Sequence, residues 1–274
     1  MKRKATHAHA PGPALVADVG GYLTQVWAVA DAEVTKLRHD PMDLVSRAVQ
    51  PILWLLLFGQ VMAHVRGLNG LGGSYLDFLA PGVLAQSVLF VAIFYGLSAI
   101  WERDLGVLHR YMVSPAPRSA LVIGKALASS VRGISQSIVI YACAAVMGVG
   151  LSFSPGHIGL VILFIVLASA LFSTFSLIIA CIVKTRERFM GIGQFLTMPI
   201  FFASNAIYPI ALMPAWLRAI ARINPLSYEV DGLRSLMLTQ GHSQFGLPLD
   251  VGALFCGVCV MIVIATRMYP RLTQ

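Results

Sequence analysis

Charged residues are scarce in this sequence. Only 12% of its 274 residues are charged, whereas 57% are hydrophobic. A soluble globular domain normally has about a quarter of its residues charged, so the composition excludes a chain built around a single soluble core. The net charge of +8 does not predict a nucleic acid partner, because no basic stripe or recognition motif accompanies it. The basic residues instead flank apolar stretches, where they would face anionic headgroups of membrane lipids.

Cysteine is also scarce, and its positions exclude two kinds of site. All four cysteines lie inside apolar stretches, at positions 143, 181, 256 and 259. A disulfide framework or a zinc site therefore receives no support. Cys256 and Cys259 have the two-residue spacing of a metal or redox motif, but no second ligand pair accompanies them. We interpret them as small buried hydrophobic residues and predict no metal site.

The sequence lacks the residues with which one chain would hydrolyse ATP or couple transport to an ion gradient. Its only Gly-Lys pair, Gly124 and Lys125, precedes Ala126 instead of Ser or Thr, so no P-loop is present. The apolar stretches contain no acidic residue away from their ends, although a secondary carrier usually needs one near the midplane. An ATP-driven activity would therefore require a second polypeptide.

Six long apolar stretches are what the sequence does contain. They cover residues 44–65, 78–100, 126–149, 158–183, 189–207 and 251–268. Each is close to the ~20 residues that a helix needs to cross a hydrocarbon core of ~30 Å. The sequence therefore predicts an all-α polytopic membrane protein with six transmembrane helices.

The basic residues fall mainly on one side of the predicted membrane. With a cytoplasmic N-terminus, sixteen of the 20 Lys and Arg residues lie on the inner side, and the outer side holds only Arg66, Arg218, Arg222 and Arg234. This bias satisfies the positive-inside rule. It predicts a multi-pass protein of a bacterial plasma membrane with both termini in the cytoplasm.

Arg132 is the one basic residue well inside a predicted span. It lies about six residues into the stretch 126–149, or ~9 Å at 1.5 Å per residue. We interpret it as an interface anchor whose long side chain snorkels to the membrane surface, or as the sign of a later helix start. A substrate-binding arginine is the alternative.

The chain before the first span divides into two parts. Residues 1–21 form a predicted flexible cytoplasmic N-terminus. Between 22 and 40, Leu23, Trp27, Ala30, Val34 and Leu37 recur at helical spacing, which indicates an amphipathic helix. This segment is too polar to span, so we predict that it lies in the cytoplasmic interface; a helix packed on a soluble partner is the alternative. The membrane domain then covers 41–274.

The inner loop at 101–118 reads WERDLGVLHRYMVSPAPR. Leu105, Leu108 and Met112 share one face of a predicted short helix, and Pro115 and Pro117 end the pattern. Apolar residues on an exposed helix favour docking to a soluble subunit. A solvated connector would be the ordinary interpretation of a loop of this length.

The outer segment 208–248 is half apolar, which is unusual for a loop. Its sequence predicts two short helices, 214–223 and 226–238, separated by Asn224 and Pro225. Pro214 and Pro225 suit first-turn positions, where a missing N–H costs little. Helices so apolar and so short favour a re-entrant hairpin, at 208–240, that dips into the outer leaflet under the cover of protein.

Two segments carry a resemblance to a known family. ERDLGVLHRYMVSPAPR at 102–118 and YPIALMPAWLRAIARINPLSYEVDGLR at 208–234 are similar to the ABC-2 type transmembrane subunits of the daunorubicin-resistance and Nod-factor-export kind. The resemblance covers the chain from about residue 27 to its end. It implies an exporter half that forms a pore with a second membrane subunit, as a homodimer or a heterodimer. It also implies two copies of a separate ABC ATPase that binds Mg-ATP, with no cofactor in this chain.

The resemblance also implies a role for the loop 101–118, which would couple the membrane subunit to the ATPase. Leu108 would fill a groove of the partner, and the charges would pair with it. The coupling residues are then Glu102, Arg103, Asp104, Gly106, Leu108 and Arg110. Two departures concern this contact: His109 stands where members often have an acidic residue, and Asp104 replaces a common Glu.

The second motif assigns a role to the outer hairpin. Its residues would fix the fold of the hairpin and not bind substrate, and they are Asn224, Pro225, Tyr228, Asp231 and Arg234. Asp231 and Arg234 are three residues apart and would pair on one helical face.

Uncharged polar and aromatic residues inside the spans are candidates for the transport pathway. They are Gln50, Gln60, Gln86, Phe90, Phe94, Gln194, Thr197, Phe201 and Asn205. The polar members would either line the path or hydrogen-bond neighbouring helices, and the sequence leaves both roles open. The aromatic members favour an amphipathic or lipid-like cargo. The resemblance implies that this cargo is a drug, a glycolipid or a polysaccharide.

The predicted function is thus a non-catalytic permease subunit of an ATP-driven exporter. A secondary carrier or channel and a membrane-embedded enzyme are the alternatives. An enzyme would need a paired acid and base, a metal cluster or an activated nucleophile near one membrane face. His39, Asp40 and Asp43 form the only such group, and a capped helix start explains it.

Overall fold

The computed structural model describes residues 41–59, 61, 74–105, 118–183 and 185–269, together with the isolated positions 24, 27, 31 and 35. In these ranges the chain is helical apart from turns, loops and one isolated antiparallel bridge between Leu151 and Leu238. The all-α prediction is confirmed for this part of the chain. The predicted N-terminal segment 1–21 lies outside it. Of the predicted interfacial helix, Thr24, Trp27, Asp31 and Thr35 are described, and all four are helical and exposed.

The first predicted span begins as helix α1 (Pro41–Leu53) and continues directly as a π-helical segment (Trp54–Gly59). Pro51 lies inside α1 and has no N–H to donate to the carbonyl oxygen of Arg47. Short π-helical segments frequently occur at functional sites. The irregular backbone therefore makes this helix a candidate for a wall of the pathway.

The second span is a nearly continuous pair of helices, α2 (Tyr75–Tyr95) and α3 (Leu97–Asp104). Ser74 and Asp77 form a capping box at its N-terminal end, which satisfies backbone N–H groups that the first turn would leave unpaired. Gly96 separates the two helices where a Cβ atom would lie 2.0 Å from Ser176 Oγ. Ser176 donates a hydrogen bond to the carbonyl oxygen of Ile93, so the fourth predicted span packs tightly at this break.

Helix α4 (Arg118–Val146) begins eight residues before the predicted third span. Interpreting Arg132 as the sign of a later helix start is therefore wrong. Arg132 is the fifteenth residue of α4, ~21 Å from its first residue at 1.5 Å per residue. Its guanidinium carbon lies 5.5 Å from the ring centroid of Tyr95, a cation–π geometry.

Helix α5 (Pro155–Ile182) and helix α6 (Arg186–Phe202) correspond to the fourth and fifth predicted spans. The chain then forms a short 3₁₀ turn (Ile210–Leu212) and the two helices of the outer hairpin, α7 (Ala215–Ile223) and α8 (Pro225–Met237). The two short helices are thus present close to their predicted bounds. Helix α9 (Leu247–Met268) is the last span.

Three segments in the described ranges are long and apolar enough to cross a membrane: Tyr75–Asp104, Pro155–Ile182 and Leu247–Met268. Ser46–Gly59 is a shorter apolar helix. Helix α4 has the necessary length, at 29 residues, but is more polar, and α6 has 17 residues. Helices α2, α4, α8 and α9 all pack against α5, so α5 lies at the centre of the fold.

Candidate functional site

A cleft of about 250 Å³ lies between α1, α2 and α6. Its walls carry one basic side chain, three amides and two phenylalanine rings among smaller groups. The lining residues are Arg47, Gln50, Pro51, Gln86, Ser87, Phe90, Val91, Phe94 and Gln194. The described lining contains no acidic residue. Few polar groups among aromatic rings suit a molecule that has both a polar part and an apolar part.

Helical spacing explains how α2 forms one wall of this cleft. Gln86, Phe90 and Phe94 are four residues apart, so they lie above one another on one face. The ring centroids of Phe90 and Phe94 are 6.1 Å apart. Gln86 is 2% exposed, and its Oε1 has no hydrogen-bond donor within the described chain. An unsatisfied buried amide of this kind is uncommon, and it leaves an unpaired polar atom directly behind the cleft wall.

Five of the nine predicted pathway residues meet in the cleft, on three helices that are distant in sequence. They are Gln50, Gln86, Phe90, Phe94 and Gln194. Arg47 also lines the cleft and was not predicted, although its position one turn before Gln50 on α1 was a usable signal. The sequence analysis assigns the basic residues near span ends to lipid headgroups, so it does not identify Arg47 as a pathway residue.

The other pathway candidates have different surroundings. Thr197 is buried and donates a hydrogen bond to the carbonyl oxygen of Gly193, 2.5 Å away. Phe201 packs edge-to-face on Trp54, with ring centroids 6.1 Å apart. Asn205 is fully buried in the segment after α6. Gln60 lies outside the described residues.

Charged side chains gather where α3, α4 and α6 meet. Lys125 Nζ lies 2.6 Å from Glu102 Oε2, and Asp104 pairs with both Arg103 and Arg186, at 3.1 and 3.0 Å. The Arg186 guanidinium carbon also lies 4.8 Å from the ring centroid of Trp101.

These pairs involve three of the six predicted coupling residues. Glu102 and Asp104 find basic partners on other helices of the same chain, so their charges are already compensated without a partner protein. That they also contact an ATPase stays a prediction. Gly106, Leu108 and Arg110 lie outside the described residues.

The turn between α7 and α8 is fixed by Asn224. Its side chain accepts a hydrogen bond from the N–H of Leu226 at 3.0 Å and donates one to the carbonyl oxygen of Ile200 at 2.6 Å. Pro225 occupies the first position of α8, where it needs no N–H. The hairpin is thereby joined to the end of α6. On α8, Tyr228 stacks against Phe245, with ring centroids 5.0 Å apart.

Asp231 and Arg234 do not pair, so the ion pair expected from their spacing is wrong. Asp231 Oδ2 accepts hydrogen bonds from Ser243 Oγ at 2.8 Å, Gln244 N at 2.7 Å and Phe245 N at 3.0 Å. Arg234 Nη2 donates to the carbonyl oxygen of Asn205 at 2.9 Å. Each side chain binds a different segment, which supports a structural role for both.

Comparison with known proteins identifies the family. The family model described as "ABC-2 type transporter" matches residues 24–238. The daunorubicin resistance ABC transporter permease protein DrrB1 of Streptomyces coeruleorubidus is 27% identical over 264 residues, which cover 95% of this chain and 88% of that protein. The inner membrane transport permease YadH of Escherichia coli strain K12 is 25% identical over 259 residues, 91% of this chain and 94% of that protein. The ycf38 transport permease of Cyanophora paradoxa is 28% identical over 218 residues, 78% of this chain and 74% of that protein. The chain therefore belongs to the ABC-2 type transporter family, as a membrane permease subunit of an ABC transporter.

Proposed function

We propose that this permease moves an amphipathic or lipid-like molecule, such as a drug, a glycolipid or a polysaccharide, out of the cytoplasm. The cleft between α1, α2 and α6 is the observation that carries this proposal. Its three amides and Arg47 suit the polar part of a substrate, and the Phe90 and Phe94 rings suit the apolar part.

A separate ATPase subunit supplies the energy in this proposal. Two copies bind Mg-ATP and act on two membrane subunits, which form a homodimer or a heterodimer. The loop 101–118 is the contact with the ATPase, and Leu108 is its central apolar residue. Burying a leucine side chain contributes about 1.5–3 kcal/mol. We expect Leu108→Asp to abolish co-purification of the ATPase while the permease still accumulates in the membrane.

The proposed topology has six spans, a re-entrant outer hairpin and both termini in the cytoplasm. Helix ends that this topology places on the same side of the membrane are in contact with one another. The ion pairs join the end of α3 to the starts of α4 and α6. At the opposite end, Gly150 N donates to Asp77 Oδ1 at 3.0 Å, and Leu151 bridges Leu238. These contacts support the arrangement.

Cysteine labelling tests the sidedness in a variant whose native cysteines have been replaced. Ser154 and Glu187 are exposed at opposite ends of the bundle. Cysteine at 154 should react with an impermeant maleimide added outside intact cells, and cysteine at 187 only after permeabilisation. The reverse pattern would exclude the proposed orientation.

Efflux measurements test the pathway. Proteoliposomes that contain the permease and its ATPase are loaded with fluorescent amphipathic probes, beginning with the daunorubicin named for the Streptomyces relative. Phe94→Ala removes a ring from the cleft and should lower ATP-dependent transport severalfold. Phe195→Ala is the matched control, because Phe195 is 74% exposed and does not line the cleft. Equal transport by the two variants would reject the cleft as the pathway.

A further inference from the structure

A second cavity lies at the outer end of the bundle. It is lined by the start of α2, whereas the cleft is lined by the second half of this helix. Its volume is about 450 Å³, and its walls come from the start of α2, Gly150, Pro209, α8 and residues 238–244. Pockets of ~300–1,000 Å³ are typical of small-molecule sites. Seven of its twelve lining residues are polar, and none of the roles assigned above uses this cavity.

Arg234 is the lining residue whose surroundings are incomplete. It is 7% exposed, and its guanidinium carbon lies 3.9 Å from the ring centroid of Phe78. Only Nη2 has acceptors, the carbonyl oxygens of Asn205 and Phe78, at 2.9 and 3.4 Å. Within the described chain, Nε and Nη1 have none.

No carboxylate compensates the charge of Arg234 at contact distance among the described residues. Asp231, one turn earlier, uses one carboxyl oxygen for three donors of the segment 243–245. Burial lowers the pKa of Arg234 to about 10, although the nearby charge of Asp231 opposes this shift. The side chain thus remains a cation at neutral pH. A buried cation without a counter-ion is strongly destabilising, so an anion nearby would stabilise this region.

The acidic residue in the cavity wall, Asp77, accepts hydrogen bonds from the backbone with both carboxylate oxygens. Asp77 Oδ1 accepts a hydrogen bond from Gly150 N at 3.0 Å, and Oδ2 accepts one from Ser74 N at 3.2 Å. The remaining polar wall is rich in possible donors, because Gln240, His242 and Gln244 are exposed there. Because backbone N–H groups occupy the Asp77 oxygens, the groups of the wall that remain available are mainly donors, and a group with several acceptor oxygens fits them.

We propose that this outer cavity binds a phosphate group, carried by a membrane lipid or by a small phosphate ester, with Arg234 as its counter-charge. A phosphate offers oxygens to several donors at once. In the proposed topology, on which the lipid source rests, the cavity lies at the outer membrane surface, where lipid phosphates are abundant. Nε and Nη1 are shielded from solvent, so Arg234 attracts the anion through its charge across the protein, where electrostatic attraction is stronger than in water. The donors at 240–244 provide the direct contacts.

Binding to the purified full-length chain tests this proposal without the ATPase or transport. In one arm, sn-glycerol 3-phosphate is titrated into protein in maltoside micelles, and the rise in unfolding temperature gives the affinity. In the other arm, native mass spectrometry counts phosphatidylglycerol and uncharged diacylglycerol retained by the same protein. Selective retention of phosphatidylglycerol indicates the lipid source, whereas stabilisation by the soluble ester alone indicates a free ligand.

Three variants assign the binding to the cavity. Arg234→Gln should weaken binding at least ~10-fold, because it removes the counter-charge. His242→Ala should weaken it ~3-fold through the loss of one donor. Arg222→Gln removes the same charge from an exposed position of the same hairpin and should bind like the wild type.

Three results would overturn the proposal. The first is a wild-type chain that binds neither probe. The second is binding that Arg234→Gln and His242→Ala leave unchanged, and the third is binding that Arg222→Gln weakens as much as they do. If Arg234→Gln fails to fold, the comparison of His242→Ala with Arg222→Gln decides. A failure of export would leave these binding results intact, so the two proposals are tested separately.

Discussion

The two ends of the bundle hold their charges in different ways. At the end with α3, α4 and α6, the ion pairs are partly exposed: Asp104 and Arg186 retain 35% and 42% of their side-chain surface. At the opposite end, Glu229, Asp231 and Asp250 are fully buried and Arg234 is nearly so. Exposed ion pairs contribute little to stability, whereas Asp231 and Arg234 are held by hydrogen bonds to other segments of the chain. The first end suits contact with a second protein, and the second suits a rigid structure around the outer cavity.

Removing Asp231 should have the largest effect on stability. The carboxylate accepts three hydrogen bonds from the segment between α8 and α9, and each bond to a charged group contributes ~1.5–3 kcal/mol. We expect Asp231→Ala to destabilise the protein by at least ~3 kcal/mol. The measurement is thermal unfolding in detergent. Asp104→Ala is the matched change at the opposite end and should leave the midpoint nearly unchanged. Equal losses of stability in the two variants would show that the two ends do not differ in this way.

Gly82→Ala should have the next largest effect, because α2 touches backbone at this position. A Cβ atom on Gly82 would lie 2.3 Å from the carbonyl oxygen of Ala206, and backbone cannot move aside as a side-chain tip can. Forced overpacking costs ~1–3 kcal/mol. Gly191→Ala on α6 is the control, because nothing lies within 4 Å of its Cβ position. Gly191→Ala should unfold at or above the wild-type midpoint. If Gly82→Ala unfolds at the same temperature as Gly191→Ala, the backbone around Gly82 can move to accept a methyl group.

Glu229→Gln should stabilise the protein, and the gain should depend on pH. Both carboxyl oxygens of Glu229 lack hydrogen-bond partners in the described chain, and burial raises the pKa of this carboxyl well above its ordinary value of 4.5. Above pH 4.5 the unfolded chain releases a proton that the folded chain retains, so wild-type stability falls as pH rises.

Unfolding midpoints measured from pH 4 to pH 8 test this prediction. The variant should match the wild type near pH 4 and exceed it increasingly at higher pH. Glu187→Gln changes the same type of group at an exposed position on α6 and should show no such trend. A gap between Glu229→Gln and the wild type that is constant with pH would mean that Glu229 is not buried as a neutral acid.

The smallest effect is expected for the Glu102–Lys125 pair. The two side chains are 22% and 10% exposed, so solvent screens part of their attraction. A double-mutant cycle with Glu102→Gln and Lys125→Met should give a coupling energy of about 1 kcal/mol or less in thermal unfolding. A coupling energy above ~3 kcal/mol, typical of buried pairs, would show that the ion pairs at this end are held as firmly as the buried groups at the opposite end.

The sequence predicted local structure well where the chain carries its own signals. Pro225 and Asn224 indicate a helix start, and Asn224 caps α8 as such a signal implies. The polar residues Gln50, Gln86 and Gln194 were also identifiable, because amides stand out within apolar stretches. These three glutamines lie in one cleft because of the way α1, α2 and α6 pack. The spacing of residues along the chain gives no information about this packing.

Long-range partners were the part that sequence reasoning missed. The spacing of Asp231 and Arg234 indicates only that they share a face of α8. Arg234 instead contacts Phe78, 156 residues away in sequence. Asp231 binds the segment 243–245, which follows the end of α8. The start of α4 was also missed, because charges at Arg118 and Lys125 look like the end of a span when the partner Glu102 is unknown.

The most direct test of the account is ATP hydrolysis and probe efflux by the purified chain, with and without its ATPase subunit. The chain has no P-loop, so it should neither hydrolyse ATP nor export the probe alone, and both activities should appear when the ATPase is added. Leu108→Asp should abolish efflux in the reconstituted complex without loss of the permease. Hydrolysis by the chain alone, or undiminished efflux by Leu108→Asp, would contradict the account.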